Sequence, residues 1–182
     1  MKYGLLAYIY KFFEYNISNI EEIKSVDLFF NQFESQKAGE SDGRANPRVL
    51  IEIDQFETKQ DFGKHQHWVG SVTLHVGIDV INTFYSGSET QVNNLQYLDL
   101  LDKIYTQLSF TSSFDLPEEI NNPAFRIFKV SRKEVIFAKN EDSIKVTEID
   151  FEFIVEDYSL VETAITDTVD NIDVEILFQK QC

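Results

Sequence analysis

The three histidines all fall in one stretch, HQHWVGSVTLHVGIDV at residues 65–80. Imidazole is a metal ligand and a general base, so this is where chemistry is sought first. His65 and His67 stand two apart, and His75 lies eight beyond His67. On a straight strand, at roughly 3.3 Å per residue, eight residues span about 26 Å. His67 and His75 therefore cannot ligate one ion. His65 and His67 alone offer two ligands where a closed zinc site takes four, so the spacing favours plain strand-face histidines over a metal site.

The other reactive types give less. Cys182, the one cysteine, is the last residue and has no scaffold to position it as a nucleophile; no intrachain disulfide can form. There is no Gly-x-Ser-x-Gly elbow and no glycine-rich phosphate loop. The segments 140–143 and 170–175 lack the spacing and glycine of an EF-hand. Carboxylate pairs occur at Glu52 and Asp54, Asp150 and Glu152, and Glu156 and Asp157. In alternating segments such carboxylates make a solvated strand face unless a cleft gathers them into an acid and a base. The expectation is no catalytic, cofactor-binding or metal residue, and no enzyme.

The elements that would position these groups follow from periodicity. Leu5, Leu6, Ile9, Phe12 and Phe13 recur at helical spacing, which predicts a helix over residues 3–15. Residues 26–33 read as a first strand, with a helix running on from Asn19 as the competing reading. Residues 34–47, ESQKAGESDGRANP, hold no apolar side chain larger than alanine and read as a long mobile loop. Val49, Ile51 and Ile53 alternate with Glu52 and Asp54 in a β-branched strand, followed by a turn over 58–63. In the histidine stretch Trp68, Gly70, Val72, Leu74, Val76, Ile78 and Val80 point one way. His67, Val69, Ser71, Thr73, His75, Gly77 and Asp79 point the other. That alternation predicts a half-buried antiparallel strand, with Gly70 and Gly77 as candidate bulges. Val92, Leu95, Leu98, Leu101, Tyr105 and Leu108 form the stripe of a long amphipathic helix. Two strands, 124–137 and 144–158, are joined by a short link and predict a hairpin. A polar spacer at 163–171 precedes a strand-like piece at 172–178, which either folds back or swaps into a neighbour.

The order predicts an α+β fold: a mostly antiparallel β-sheet with helices packed on one face, a long mobile loop and an extended C-terminal tail. Residues 1–158 read as a single domain, including the 34–47 loop, and 159–182 as an acidic tail or strand arm. Candidate contact residues are Glu34, Lys37, Glu40, Asp42 and Arg44 in the loop, and Ile172, Val174, Ile176 and Phe178 in the arm.

Charge bounds the partners. The 182 residues carry 31 acidic and 16 basic side chains, a formal net of −15. Phosphate neutralisation needs clustered cations, and the densest basic group is Arg132-Lys133, so nucleic-acid binding is not expected. An acidic surface would instead let DNA pass without sticking. No apolar run approaches membrane-spanning length, and residues 1–13 lack the cleavage site of a signal peptide.

Taken together, the segments PRVLIEI, HWVGSVTLHVGIDV, NNLQYLDLLDKIYTQL and VTEIDFEFIVEDY, in that order after an N-terminal helix, resemble the tail-terminator and tail-completion proteins of tailed bacteriophages and the related head–tail joining, or neck, proteins. The resemblance covers about residues 1–158. It implies a structural virion protein that forms a ring, commonly a hexamer, caps the tail tube and connects it to the head. Partners would be further copies of the chain, tail tube and neck or connector proteins, and genomic DNA crossing the lumen without specific binding. No cofactor is implied. Localisation would be the virion tail or neck, with the host cytoplasm during assembly. The alternative is a phage or bacterial accessory module that binds a protein through its loop or C-terminal arm.

Overall fold

The computed structural model describes residues 3–30, 33, 46–61, 65–79, 89–109, 111, 116–137 and 144–159. In chain order these form α1 (Leu5–Ser18), β1 (Ser25–Leu28), β2 (Arg48–Asp61), β3 (Gln66–Asp79), α2 (Glu89–Ser109), β4 (Phe125–Phe137) and β5 (Ile144–Asp157). The five strands make one sheet in the order β1-β2-β3-β5-β4. All neighbours are antiparallel except β1 and β2. The fold is α+β, with a mostly antiparallel sheet.

Strand β3 is central. It pairs from end to end with β2 on one side and with β5 on the other. Its even positions from Val72 to Val76 are fully buried against the helices, as the alternation predicts. Opposite them β5 contributes Ile149, Phe151, Phe153 and Val155, all fully buried. Helix α1 closes this face with Tyr8, Ile9, Phe12, Phe13 and Ile17. Each such side chain contributes about 1.5–3 kcal/mol by leaving water. Across the layer Phe13 meets Phe153 edge-on at 5.5 Å, and within the sheet Phe56 stacks on Trp68 at 4.8 Å.

Several expectations need correction. Residues 26–33 do hold a strand, but it ends at Leu28, and it runs parallel to β2. A parallel neighbour needs a crossover rather than a tight turn, which is why a long connection separates β1 from β2. The turn expected at 58–63 is strand as far as Asp61: register shifts at Ile53/Gln55 and Thr58/Gln60 absorb the irregularity while β2 stays paired. Gly70 and Gly77 are not bulges, since both sit in unbroken register. They are glycine because rings lie over them. A Cβ on Gly70 would come within 2.4 Å of Phe153 and 2.9 Å of Phe56, and one on Gly77 within 2.3 Å of Phe33. A bulge does occur in β4 between Phe128 and Ser131, where Lys129 takes a left-handed φ of 55°.

The stripe expected on α2 is also rotated. The helix buries Tyr97, Leu100, Leu101, Ile104 and Leu108, whereas Leu95 and Leu98 are 56% and 45% exposed. The Tyr97 hydroxyl donates to the buried Thr147 hydroxyl of β5, and Lys145 lies over its ring. That polar pin, absent from a count of leucines, orients the helix. Burial raises the Tyr97 pKa above its ordinary value.

The second face of the sheet is partly covered as well. Phe33, Leu50, Ile144 and Val146 form a small buried cluster with Phe29 against it. The guanidinium of Arg48, itself 1% exposed, sits 4.3 Å from the centre of the Phe33 ring.

The rings over glycine and the Tyr97 pin can each be tested by substitution. Gly70→Ala forces two core rings to move and is expected to cost about 1–3 kcal/mol in urea unfolding. Gly77→Ala, where one ring outside the main core must yield, is expected to cost less. Tyr97→Phe leaves the buried Thr147 hydroxyl without its partner and should cost about 1–3 kcal/mol by the same measurement.

Candidate functional site

The polar side chains with chemical potential gather on the sheet face turned away from the helices. Register dictates this. Thr73 lies opposite Glu52 of β2 and Asp150 of β5, His75 opposite Glu148, Ser71 opposite Glu152, and His67 opposite Glu156. Carboxylates separated in sequence thus become neighbours across three strands.

Three polar groups can be followed from one end of β3 to the other. At His75, the ring nitrogen Nε2 donates to the Glu52 carboxylate at 2.7 Å, and Nδ1 lies 3.6 Å from Glu148. Phe29 stacks flat on the imidazole at 3.8 Å between ring centres. This histidine is 6% exposed, and its ring is braced by two carboxylates and an aromatic lid. That arrangement makes it a structural histidine that satisfies its own burial.

Next along the face, the Thr73 hydroxyl lies 2.7 Å from Asp54 and 2.8 Å from Asp150. A hydroxyl has one hydrogen, so it can donate to only one of two ionised carboxylates. The Asp54 pKa is raised above 3.8. Although the residue as a whole is exposed, partial desolvation of its carboxyl is the largest cause. Glu52 and Asp150 add to it, while the Thr73 hydrogen bond and His75 pull the other way. The Thr73 hydroxyl is placed to donate to either carboxylate and serves one of them at a time. The expected carboxylate pairs are therefore split by the structure: Asp54 joins Asp150 through Thr73, Glu52 joins His75, and Glu152 pairs with Lys133 at 2.7 Å.

At the far end, His65 and His67 converge on Glu156. Their Nε2 atoms lie 3.9 and 3.1 Å from the same oxygen, Oε1. The other oxygen, Oε2, accepts from the Tyr158 hydroxyl at 2.7 Å, and His65 stacks on the Tyr158 ring at 4.2 Å. The Tyr158 pKa is raised, first by that hydrogen bond and then by burial. A sequence count finds two ligands here; the third arrives from β5, about ninety residues on. The only legible signal is that His67 and Glu156 both sit on polar faces of alternating strands, and pairing them requires the register.

Elsewhere, an open groove between the turn at 19–22 and α2 carries Glu21, Glu22, Asp99 and Asp102, with Lys103 hydrogen-bonded to Glu22. The Lys103 contact lowers the Glu22 pKa. At a solvated surface such a pair contributes little to stability. The loop candidates Glu34, Lys37, Glu40, Asp42 and Arg44, and the arm candidates Ile172, Val174, Ile176 and Phe178, lie outside the described residues. No helix among the described residues is long and apolar enough to cross a membrane.

No family model matches the chain, and neither does any curated protein.

The raised Asp54 pKa gives a prediction with a definite sign. The native state takes up this proton at higher pH than the unfolded chain, so stability falls as pH rises from the ordinary aspartate range through the Asp54 value. Asp54→Asn should raise the midpoint of thermal unfolding at neutral pH and flatten its slope across that range, measured by calorimetry over a pH series.

Proposed function

We propose that the chain is a structural subunit of a tailed-phage virion, a tail-terminator or neck ring that caps the tail tube, joins it to the head and lets DNA through. The observation that carries this reading is the carboxylate-lined sheet face. Glu52, Asp54, Glu148, Asp150, Glu152 and Glu156 project from adjacent strands on the side opposite the helices. Turned inward in a ring, that face repels phosphate, so DNA slides past without being held.

Two further features support it. After α1, the strands β2 and β3, the helix α2 and the pair β4 and β5 follow in the order of the segments that carry the resemblance, with β1 an addition to it. Strand β4 ends the sheet on its side among the described residues, and its outer half carries Ile136 at 42% and Phe137 at 57% exposure. An open strand edge beside exposed apolar side chains is suited to head-to-tail contact between copies, the kind of interface that closes into a ring. Leu95 and Leu98 on α2 offer a second apolar contact. In this reading the chain works in the virion tail or neck, with tail tube and connector proteins as neighbours.

Light scattering on the purified chain should give a closed oligomer, with six copies as the expected number, and negative-stain images should show rings. Ile136→Lys with Phe137→Lys is expected to reduce the species to monomer while the circular dichroism spectrum is kept. Glu148→Lys with Asp150→Lys should leave rings that retard DNA in low salt, where wild-type rings do not. Monomers at high concentration, with and without tail tube, would overturn the proposal. A single stoichiometric complex with another protein, lost on deleting residues 160–182, would favour the accessory-module reading.

A further inference from the structure

We propose that His65, His67 and Glu156 form a binding site for a divalent transition ion of the zinc class, independent of whether the chain assembles into rings. The three offer one ligand atom each, all within 4.8 Å of one another. The ligand atoms of a tetrahedral zinc centre with bonds near 2.0–2.1 Å lie roughly 3.3 Å apart. The His67–Glu156 separation of 3.1 Å already matches that edge, and the His65 nitrogen, at 3.9 Å from the same oxygen and within 4.8 Å of the other ligand atoms, would draw inward on binding.

Three features distinguish this cluster from an ordinary ion pair. Two imidazoles address one carboxylate oxygen, whereas a salt bridge needs a single charged nitrogen. Their rings stand 71° apart at 4.8 Å, so their nitrogens approach a common point from different planes, as separate ligands of one centre do. The carboxylate is also oriented from behind: the Tyr158 hydroxyl holds Oε2, leaving Oε1 to face the histidines. An outer hydrogen bond of this type fixes a ligand's direction and raises its affinity for metal. Tyr158 is held in turn, since its backbone N–H donates to the Ala124 carbonyl at 2.7 Å and its ring carries His65.

Imidazole with carboxylate is a donor set that suits zinc, and three protein ligands leave a fourth position for water. Arg126 acts against the ion. It lies opposite Glu156 on β4, with its guanidinium 5.2 Å from the centre of the Tyr158 ring. The bound ion would staple the start of β3 to the end of β5.

The test uses the full chain, free of any tag, with Cys182→Ser so that the thiol cannot compete. Zinc titration by calorimetry should show one site per chain. Cobalt should give the visible absorption of a tetrahedral nitrogen–oxygen centre. His65→Ala, His67→Ala and Glu156→Gln should each weaken binding by at least about tenfold, and Tyr158→Phe by about tenfold. Arg126→Gln should tighten it. In the histidine NMR spectrum of the unsubstituted site, zinc should move the His65 and His67 resonances and leave His75, about 26 Å along the strand, where it was. This last reading does not depend on any variant folding. No saturable zinc binding, binding unchanged by the substitutions, or a shift at His75 in place of the pair would overturn the proposal.

Discussion

The register of β3 between β2 and β5 is the constraint on which the rest depends. A strand alternates its side chains between two faces, so a slip of one residue would exchange every buried group for a polar one. In β3 such a slip would turn Val72, Leu74 and Val76 outward and drive Thr73 and His75 into the layer beneath the helices. The rings of Phe153 and Phe33 hold the alignment from both sides, because each lies over a glycine that leaves room for it. With that register in place, the apolar face receives α1 and α2, and the polar face acquires its cross-strand neighbours.

The two faces are stabilised differently. Beneath the helices the interaction is burial and ring packing, supplemented by the Tyr97–Thr147 hydrogen bond that sets the rotation of α2. On the opposite face carboxylates crowd one another, and crowding of like charge destabilises. The structure offsets this by interleaving partners: His75 between Glu52 and Glu148, Thr73 between Asp54 and Asp150, Lys133 beside Glu152, and two histidines beside Glu156. At Asp54 this compensation is incomplete: desolvation first, and then the Glu52 and Asp150 charges, raise its pKa.

A face so arranged does little for stability compared with an apolar one, which directs attention to what it meets. An acidic sheet surface, with an open edge at β4 and exposed leucines on α2, places like charge on one side and apolar side chains elsewhere. That division suits a subunit whose copies contact one another laterally while a polyanion moves past, and it underlies the ring reading. The histidine–carboxylate cluster occupies one end of the same face, where a bound cation would tie β3 to β5 locally while leaving most of the acidic surface unchanged.

Local chemistry was legible in the sequence. The alternation of residues 66–79, the β-branched run after Pro47 and the hairpin of β4 and β5 each follow from period-two patterning, and α1 and α2 from helical spacing. The excess of acid over base is read directly from the composition. What tertiary structure decided was pairing. That β1 runs parallel to β2, that Gly70 and Gly77 make room for rings instead of bulges, that α2 turns Leu95 and Leu98 outward, and that Glu156 joins His65 and His67 all depend on residues distant in the chain. Periodicity reports which way a side chain points, because that is a property of the local backbone. It carries no record of which strand lies alongside, because that is settled by the collective fit of the core.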